Sequence, residues 1–420
     1  MVPKGWSESY LGEVVTYKKG YAFNSSLYAE EGIRIVRISD TTRDSIHSDN
    51  PVFIAGGNVE GLEQYSLFEN DIILSTVGSR PHLLDSMVGK AVKVPRSAHN
   101  SLLNQNLVKL IPKKTKITNE YLFSMLKTKE FIQFISNLVR GNANQVSITL
   151  ADLFKYKFIL PSLPEQKKIA QILSTWDKAI SVTEKLLTNS QQQKKALMQQ
   201  LLSGEKRLLD ENGVRFSTEW EFKRISEIAT RVQRKNDAAE HPILTISSLS
   251  GFVRQDERYS RYMAGESVKN YILLKKGEFA YNKGNSKTYE FGCIFDLEAY
   301  EAGLVPHVYV CFRLKNGLSH RYFKYLFEAD YLKPQLGALV NTGVRNNGLL
   351  NIKPTEFMQT KVPVPCFEEQ ESIADMLYNS SRTIRVLQDK LACLKDEKKA
   401  LMQQLLTGKR RVKVDEAVAV

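Results

Sequence analysis

The feature that most constrains the fold of this chain is an internal repeat. The segment KKALMQQLLSG begins at Lys194 and KKALMQQLLTG begins at Lys398, so a shift of 204 residues aligns ten of eleven positions. Over 158–208 and 362–412 the same shift gives 20 identities in 51 positions. Repeats of this kind mark one structural unit that is used twice. The 420 residues are therefore predicted to be a tandem duplication with a period of about 204.

Weaker similarity precedes each repeated segment and follows the same order. Apolar runs typical of strands occur at 33–38, 71–74 and 107–111 in the first half and at 243–246, 278–281 and 308–314 in the second. Helices are predicted at 121–127 and 322–327, and Gly/Asn-rich stretches begin at Gly141 and Gly343. Each half is therefore predicted to be a mixed domain followed by a long helix. The domains have diverged and the helices have not, which suggests that two different things are recognised by one mechanism.

The repeated helices carry a heptad pattern. Each begins near an acidic-Gln pair, Glu165-Gln166 or Glu369-Gln370, and each ends before a glycine, Gly204 or Gly408. Alternating steps of four and three residues define a seam in each helix, with apolar members Ile169, Leu173, Trp176, Ile180, Leu187, Leu197 and Leu201 in the first helix and Ile373, Leu377, Ile384, Leu387, Leu391, Leu394, Leu401 and Leu405 in the second. A period of 3.5 residues favours a partner helix, and the other copy is the natural partner.

The connection between the halves predicts the direction of that pairing. About 15 residues separate Gly204 from Trp220, too few to return along a helix of about 38 residues. The predicted fold class is therefore α+β, with two mixed α/β domains separated by two long antiparallel coiled-coil helices in a pseudo-two-fold repeat. The predicted boundaries are 1–160 (first domain), 161–210 (first helix), 211–362 (second domain), 363–410 (second helix) and 411–420 (tail). Packing of each helix on its own domain is the alternative.

Composition points to a polyanionic partner. Lys and Arg number 59 against 46 Asp and Glu, a net charge of +13, which favours nucleic acid before a membrane surface. The sequence has neither an apolar run of membrane-helix length nor an apolar leader at its N-terminus, so a cytoplasmic location is expected. The four cysteines, Cys293, Cys311, Cys366 and Cys393, form no CxxC pair, so neither a disulfide framework nor structural zinc is expected.

Motifs for catalysis on nucleic acid are missing from the sequence. It contains no GxxxxGK[ST] loop, no GxGxxG, no (D/N)PP(Y/F) tetrapeptide and no HExxH or HxxxH spacing. The Asp396-Glu397-Lys398 run has the letters of a nuclease site but lies on the heptad helix, where a solvated charged face is the better interpretation. The chain is therefore predicted to bind rather than to cut or modify, without catalytic, cofactor-binding or metal-binding residues of its own.

Polar loops near strand ends are the candidates for nucleic-acid contact. Asn, Gln, Lys, Arg and Ser side chains can pair with base edges or phosphates, and two such groups recur at matching places in the two halves. The predicted DNA-contacting residues are Ser79, Arg80, Arg140, Asn142, Asn144 and Gln145 in the first half and Tyr281, Asn282, Lys283, Asn285, Ser286, Lys287, Arg345, Asn346 and Asn347 in the second.

With LPEQKKIAQIL from Leu163 and KKALMQQLL at both helix ends, the chain resembles the DNA-specificity (S) subunit of type I restriction-modification enzymes over its whole length. The opening GWSESYLGEVVTYKKGYAFNSSLYAEEGIRIVRIS is similar to the usual start of a first target-recognition domain in that family. One departure is that Phe367-Glu368 replaces Leu163-Pro164 at the second helix start.

This resemblance implies a non-catalytic subunit for double-stranded DNA. Each target-recognition domain would read one half of a bipartite asymmetric site, and the helices would act as a ruler that sets the spacer. It further implies two modification subunits, which bring S-adenosylmethionine and methylate adenine N6, and two restriction subunits, which use ATP and Mg to translocate and cleave. On the residues alone, a self-sufficient DNA-modifying or DNA-cleaving enzyme and a coiled-coil scaffold without a DNA role stay open.

Overall fold

The computed structural model of the protein describes residues 2–42, 45–47, 49–80, 87–139, 145–237, 240–258, 265–340 and 350–414. It divides into two compact units, unit 1 (Met1–Glu184 with Lys390–Val420) and unit 2 (Lys185–Asp389). Unit 1 thus combines two stretches that are far apart in sequence. Because this division falls inside the two long helices, the domain boundaries inferred from the sequence stay predictions.

Unit 1 contains short strands, short helices and the first part of the first long helix. The described strands are β1 (Ser7–Tyr10), β2 (Val15–Lys19), β3 (Tyr28–Ala29), β4 (Ile33–Val36), β5 (Val52–Ile54), β6 (Ser66–Leu67), β7 (Ile72–Ser75), β8 (Val77–Gly78), β9 (Ala91–Lys93), β10 (Ser101–Leu103), β11 (Leu107–Pro112), β12 (Val146–Ser147) and β13 (Lys157–Leu160). The α-helices are α1 (Leu11–Val14), α2 (Asn119–Met125), α3 (Lys129–Leu138), α4 (Leu150–Leu153) and α5 (Leu163–Leu202).

Unit 2 has a similar succession of elements. Its described strands are β14 (Glu221–Arg224), β15 (Ala229–Arg231), β16 (Leu244–Ser247), β17 (Gly251–Arg254), β18 (Ile272–Lys275), β19 (Phe279–Asn282), β20 (Cys293–Asp296), β21 (Ala302–Val305), β22 (Val310–Leu314) and β23 (Lys361–Val364). The α-helices are α6 (Ile225–Ile228), α7 (Gln255–Arg258), α8 (His320–Glu328), α9 (Lys333–Leu339), α10 (Pro354–Phe357) and α11 (Phe367–Leu405). All six predicted strands and both predicted domain helices are confirmed, with bounds that shift by at most two residues.

The two units contain the same antiparallel frame. Each has a four-stranded sheet, in the order β2-β11-β7-β9 in unit 1 and β15-β22-β19-β20 in unit 2. Each also has a two-stranded pair, β1 with β13 and β14 with β23, which joins the first strand of the domain to the strand just before a long helix. Outside this frame the units differ, because unit 1 adds the five-stranded sheet β3-β5-β4-β10-β6 where unit 2 has the pairs β16-β17 and β18-β21.

Glycines follow both long helices in the left-handed conformation. Gly204 has φ +76° and Gly408 has φ +72°, which confirms the predicted helix ends. Each glycine also packs against a tryptophan, since an added Cβ would lie 3.3 Å from the Trp220 ring at Gly204 and 3.2 Å from the Trp6 ring at Gly408. Both the backbone conformation and the tryptophan contact therefore favour glycine at these positions.

A buried glutamate at the start of α5 ties together three parts of unit 1. Glu165 accepts hydrogen bonds from Trp6 Nε1 (3.0 Å), from Ser162 Oγ (3.0 Å) and from the Arg411 guanidinium (2.7 and 2.9 Å). Arg411 also donates to the Lys4 carbonyl and lies 5.3 Å from the centre of the Trp6 ring. The N-terminal segment, the start of α5 and the segment after α11 thus meet at one carboxylate.

Unit 2 repeats this tryptophan–glutamate–arginine cluster. Glu369 at the start of α11 is fully buried and accepts from Trp220 Nε1 (2.8 Å) and from Arg207 Nε and Nη2 (2.6 and 2.8 Å). Arg207 lies 5.4 Å from the Trp220 ring centre and donates to the Thr218 carbonyl. Its pKa is raised by the hydrogen bonds to Glu369. In both units the arginine follows the end of one long helix and the glutamate starts the other.

The glutamine that follows each glutamate fixes the helix start to its domain. Gln166 donates to the carbonyls of Lys116 and Pro161, and its Oε1 accepts from Thr118 N, the residue that caps α2. Gln370 makes the equivalent bonds to Pro365 O and from Ser319 N, and Ser319 caps α8. Both amides are buried, with 0% and 1% of the residue exposed, so these bonds satisfy groups that would be costly to leave unpaired.

The seam residues of α5 and α11 are buried or half-buried throughout. In unit 1, Ile169 and Leu173 pack with Leu405, and ion pairs join Asp177 to Lys398 and Glu184 to Lys395. The residue numbers of these pairs rise along α5 as they fall along α11, so the two helices are antiparallel here. In unit 2, Leu201 of α5 shares a core with Ile373 and Leu377 of α11. The same two cores include domain residues, so the helix ends pack on a domain as well as on the other helix.

We expect Arg207→Ala to lower the free energy of unfolding by about 3 kcal/mol, because it leaves the carboxylate of Glu369 buried without its cation. The equivalent Arg411→Ala should cost about 1–2 kcal/mol, because 8% of the Glu165 side chain and 41% of the Arg411 side chain are exposed. Denaturant titration followed by tryptophan fluorescence measures both effects, since Trp6 and Trp220 lie in the clusters.

The matched control is Lys157→Ala, which removes an ion pair to Glu8 with both side chains about half exposed. It should leave stability nearly unchanged. Equal losses for Arg207→Ala and Lys157→Ala would contradict the structural role assigned to the buried clusters.

Candidate nucleic-acid interface

Several strand ends of the unit 1 sheet meet at one edge. β11 runs antiparallel to both of its neighbours, with Val108 opposite Lys19 of β2 and Leu107 opposite Ser75 of β7. The residues that follow β2 and β7 therefore lie beside the residues that precede β11. Lys19 is exposed at this edge and brings positive charge to it.

Three of the predicted first-half contacts lie together beside this edge. β8 pairs with β12 with Gly78 opposite Val146. Ser79 directly follows β8 and Gln145 directly precedes β12, so the two residues are neighbours across the pair. Gln145 is exposed, and Ser79 and Arg80 are half-buried. The structure therefore brings Ser79, Arg80 and Gln145 into one polar region.

The predicted second-half loop follows the equivalent strand. β19 holds the same place in its sheet as β7 does in unit 1; Asn282 is its last residue, and the segment from Lys283 to Lys287 follows it. Asn285 and Lys287 are exposed. These two side chains are therefore the members of the predicted loop that face solvent.

Tyr281 is a correction to the predicted contacts. It is fully buried, its hydroxyl donates to the Phe291 carbonyl at 2.7 Å, and its ring stacks on Phe357 at 4.5 Å. Burial also raises the pKa of its hydroxyl. The prediction that Tyr281 contacts DNA is therefore wrong, because its side chain is part of the hydrophobic core of unit 2.

Other residues of this loop shape its backbone. The Asn282 side-chain oxygen accepts from Gly284 N at 3.0 Å, and the Ser286 hydroxyl accepts from Tyr289 N at 3.0 Å. Lys283 is half-buried and its carbonyl accepts from Leu350 N. Side chains that bond within the loop hold its path, so exposed neighbours are better placed to meet a ligand. Contact by Asn282, Lys283 and Ser286 stays a prediction.

The remaining predicted contacts lie outside the described residues. They are Arg140, Asn142 and Asn144 in the first half and Arg345, Asn346 and Asn347 in the second.

Two of the four cysteines lie in the hydrophobic core. Cys293 and Cys311 are buried, and burial raises the pKa of each thiol to about 12, as expected of inert core cysteines. Among the residues that the structure describes, no group of three or more His, Cys, Asp or Glu is placed to hold a metal ion. Within the same ranges, no helix is both long and apolar enough to cross a membrane.

Residues outside the predicted set also matter to this frame. The arginines after the long helices and the tryptophans at the domain starts were not among the residues predicted to have a structural or binding role. A signal was present, because Arg207 and Arg411 are one of the 20 identities under the 204-residue shift. What the sequence lacked was any indication that their partners are the glutamates of the opposite repeat.

Comparison with known proteins agrees with this architecture. Residues 3–189 match the family model for the type I restriction modification DNA specificity domain. The chain is 24% identical to the putative type I restriction enzyme MjaX specificity subunit of Methanocaldococcus jannaschii, over 98% of this chain and 95% of that one. It is 26% identical to the MjaVIII specificity subunit of the same organism, over 98% of this chain and 94% of that one.

A solved structure of a type I restriction-modification system S subunit from M. genitalium has the same fold. It aligns with a TM-score of 0.54 at 14% identity and covers 96% of each chain. The chain thus resembles type I restriction-modification specificity subunits along almost its whole length, and its first half matches the family model for their DNA specificity domain.

We expect Lys287→Ala to weaken DNA binding to a similar degree for all duplex sequences and to reduce the salt slope of log K by about 0.9, as the loss of one phosphate contact predicts. Fluorescence anisotropy of the full chain on labelled duplexes over a range of salt concentrations measures this slope. The control is Lys276→Ala, which lies before β19 and therefore at the opposite end of that strand from Lys287. Equal slopes for Lys287→Ala and the unmodified chain would remove Lys287 from the interface.

Proposed function

We propose that this specificity subunit reads a bipartite asymmetric DNA site, one half with each domain, while the long helices set the number of unread base pairs between the halves. The observation that carries the proposal is the repeated sheet: β7 and β19 hold equivalent places, and polar loops of different sequence follow them. A common frame with different side chains at one edge suits the recognition of two different short sequences.

Charge supports binding to the duplex backbone. The excess of 13 positive charges attracts phosphates without regard to sequence, and base-edge contacts would then select the half-sites. Two DNA-binding domains on one chain would bind one duplex far better than either would alone if the long helices held them at a fixed separation.

The length of the two long helices supports their proposed role in setting the spacer between the half-sites. The 40 residues of α5 and 39 of α11 correspond to about 60 Å each at 1.5 Å per residue. Half-sites read from one face of B-DNA are best placed about one turn, roughly 34 Å, apart. Helices of this length leave room for a domain at either end of such a spacing.

Partner subunits follow from the family. We propose that the repeated helices dock two modification subunits, which would bring S-adenosylmethionine and methylate adenine N6. Two restriction subunits would use ATP and Mg to translocate and cleave. The assembled complex would then be a type I site-specific deoxyribonuclease and adenine-N6 methyltransferase, with the chemistry on the partners. Because the 204-residue shift preserves the helices best, they are the natural surfaces for two identical partners.

Mapping of modified adenines across a genome, in cells with and without this gene and its partner subunits, tests the proposal. A bipartite methylated motif that appears with the gene is the expected result. The alternatives predict other outcomes. A self-sufficient enzyme would methylate or cut DNA as the purified chain alone. A scaffold would show no measurable, salt-sensitive binding to duplex DNA.

We expect removal of one heptad from both helices, residues 181–187 and 385–391, to shorten the spacer by about three base pairs, because seven residues of helix rise about 10 Å. Both half-site sequences should stay unchanged. The matched control exchanges residues 1–155 for the first domain of another specificity subunit, which should change one half-site and leave the spacer alone. Altered half-sites in the heptad deletion would show that the helices are not a ruler.

A further inference from the structure

The turn between β10 and β11 carries three amide side chains, Asn104, Gln105 and Asn106. Leu107 N donates to the Asn104 carbonyl at 3.0 Å, which closes a four-residue turn with Gln105 and Asn106 at its centre. Asn104 is buried and Asn106 is half-buried, whereas Gln105 is exposed. Gln105 is thus the amide of this turn that is most open to a ligand.

Hydrogen bonds join this turn to the polar region that holds Ser79 and Gln145. Thr76 donates to the Asn106 carbonyl from both its backbone N (3.0 Å) and its hydroxyl (3.2 Å). The carbonyl of Thr76 in turn accepts from Ile148 N at 3.0 Å. Thr76 lies between β7 and β8 and Ile148 directly follows β12, so the turn and the β8–β12 pair form one bonded edge.

Gly20 holds the turn from the other side. An added Cβ at Gly20 would lie 1.9 Å from the Asn104 carbonyl oxygen, so only glycine permits the observed approach. Gly20 N donates to the Leu107 carbonyl at 3.0 Å, and Tyr21 N donates to the Leu103 carbonyl at 2.9 Å. A side chain that reads bases must be held by a rigid support, and both flanks of this turn supply one.

Next to the turn, the edge offers groups suited to a nucleic-acid backbone. The centre of the Tyr21 ring lies 5.0 Å from that of Phe23 and 5.2 Å from that of Tyr65, so the three rings form an aromatic cluster. Lys19 is exposed at the end of β2. The turn carries an exposed amide, which suits contact with base edges. The aromatic cluster and the lysine beside it suit contact with the sugar-phosphate backbone.

We infer that Gln105 is a specificity-determining residue of unit 1 that reads one adenine of the half-site from the major groove. A glutamine amide presents one donor and one acceptor side by side, the pattern that pairs with adenine N7 and N6. Ser79 and Gln145 lie on the same bonded edge and would contact neighbouring positions. This inference rests on the proposed function, since it assigns a residue to one of the two half-sites.

The test selects bound sequences from a library of random duplexes with the full-length chain in complex with the modification subunits of its own system. With the unmodified chain, a bipartite motif is expected. Gln105→Ala should lose preference at one adenine of one half-site by about 5- to 150-fold, the usual range for a bidentate base contact, and leave the other half-site unchanged.

A second variant makes the inference sharper. Gln105→Glu keeps the size of the side chain but has only acceptors, which suit the amino group of cytosine, so the preference at that position should move from adenine towards cytosine. Because Gln105 is exposed on the turn, neither change should disturb folding, and thermal melting checks this. The control Asn119→Ala removes an amide bonded to the Asn70 carbonyl, before β7 and thus at the opposite end of that strand, and should leave the motif intact.

The possible outcomes distinguish failure of the proposed function from failure of the inference about Gln105. If the unmodified chain selects no bipartite motif, the proposed function fails. If it selects one and both Gln105 variants select the same motif with the same preference, the inference about Gln105 is overturned while the proposed function stands. Loss of preference in both half-sites would also overturn the inference, since it would assign Gln105 to something other than base reading in unit 1.

Discussion

Two buried carboxylates hold the frame of this protein. Glu165 and Glu369 each start a long helix, and each is bonded to an indole N–H from a domain start and to an arginine that follows the opposite helix. A buried charge is tolerated only when such partners are present. The contact therefore selects one arrangement of domain start, helix start and helix end, because any other pairing would leave a charge in the interior without compensation.

The polar loops that contact DNA under our proposal are supported by this frame. Unlike the buried residues of the frame, these loops differ in sequence between the two units. The same four-stranded order occurs in both units, yet a five-stranded sheet flanks it in unit 1 and separate strand pairs flank it in unit 2. Loops after β7 and β19 can vary because they are not part of the buried clusters. This separation explains why the halves keep their glutamates, glutamines, arginines and helix-ending glycines while their polar edges differ.

Much of the fold could be predicted from the sequence, and less of the site. Periodicity located the helices and strands, because the spacing of apolar residues reports directly on local geometry. Tyr281 was misread because a strand buried on both faces shows no alternation, so nothing marks its tyrosine as a core residue. Gln105 was missed because its role depends on which strand ends meet, and pairing between β7 and β11 is non-local. The glutamate–arginine pairs were hidden for the same reason.

Arg411 and Glu165 are 246 residues apart in the sequence, yet they share one hydrogen-bonded cluster. Contacts of such long range form late, because a large loop must close before they contribute any stability. During synthesis the first domain leaves the ribosome early, but its buried Glu165 has no arginine partner until Arg411 has been made. A chain that stops before Arg411 would leave the Glu165 carboxylate buried without its cation, and the resulting loss of stability would make the first domain more susceptible to degradation.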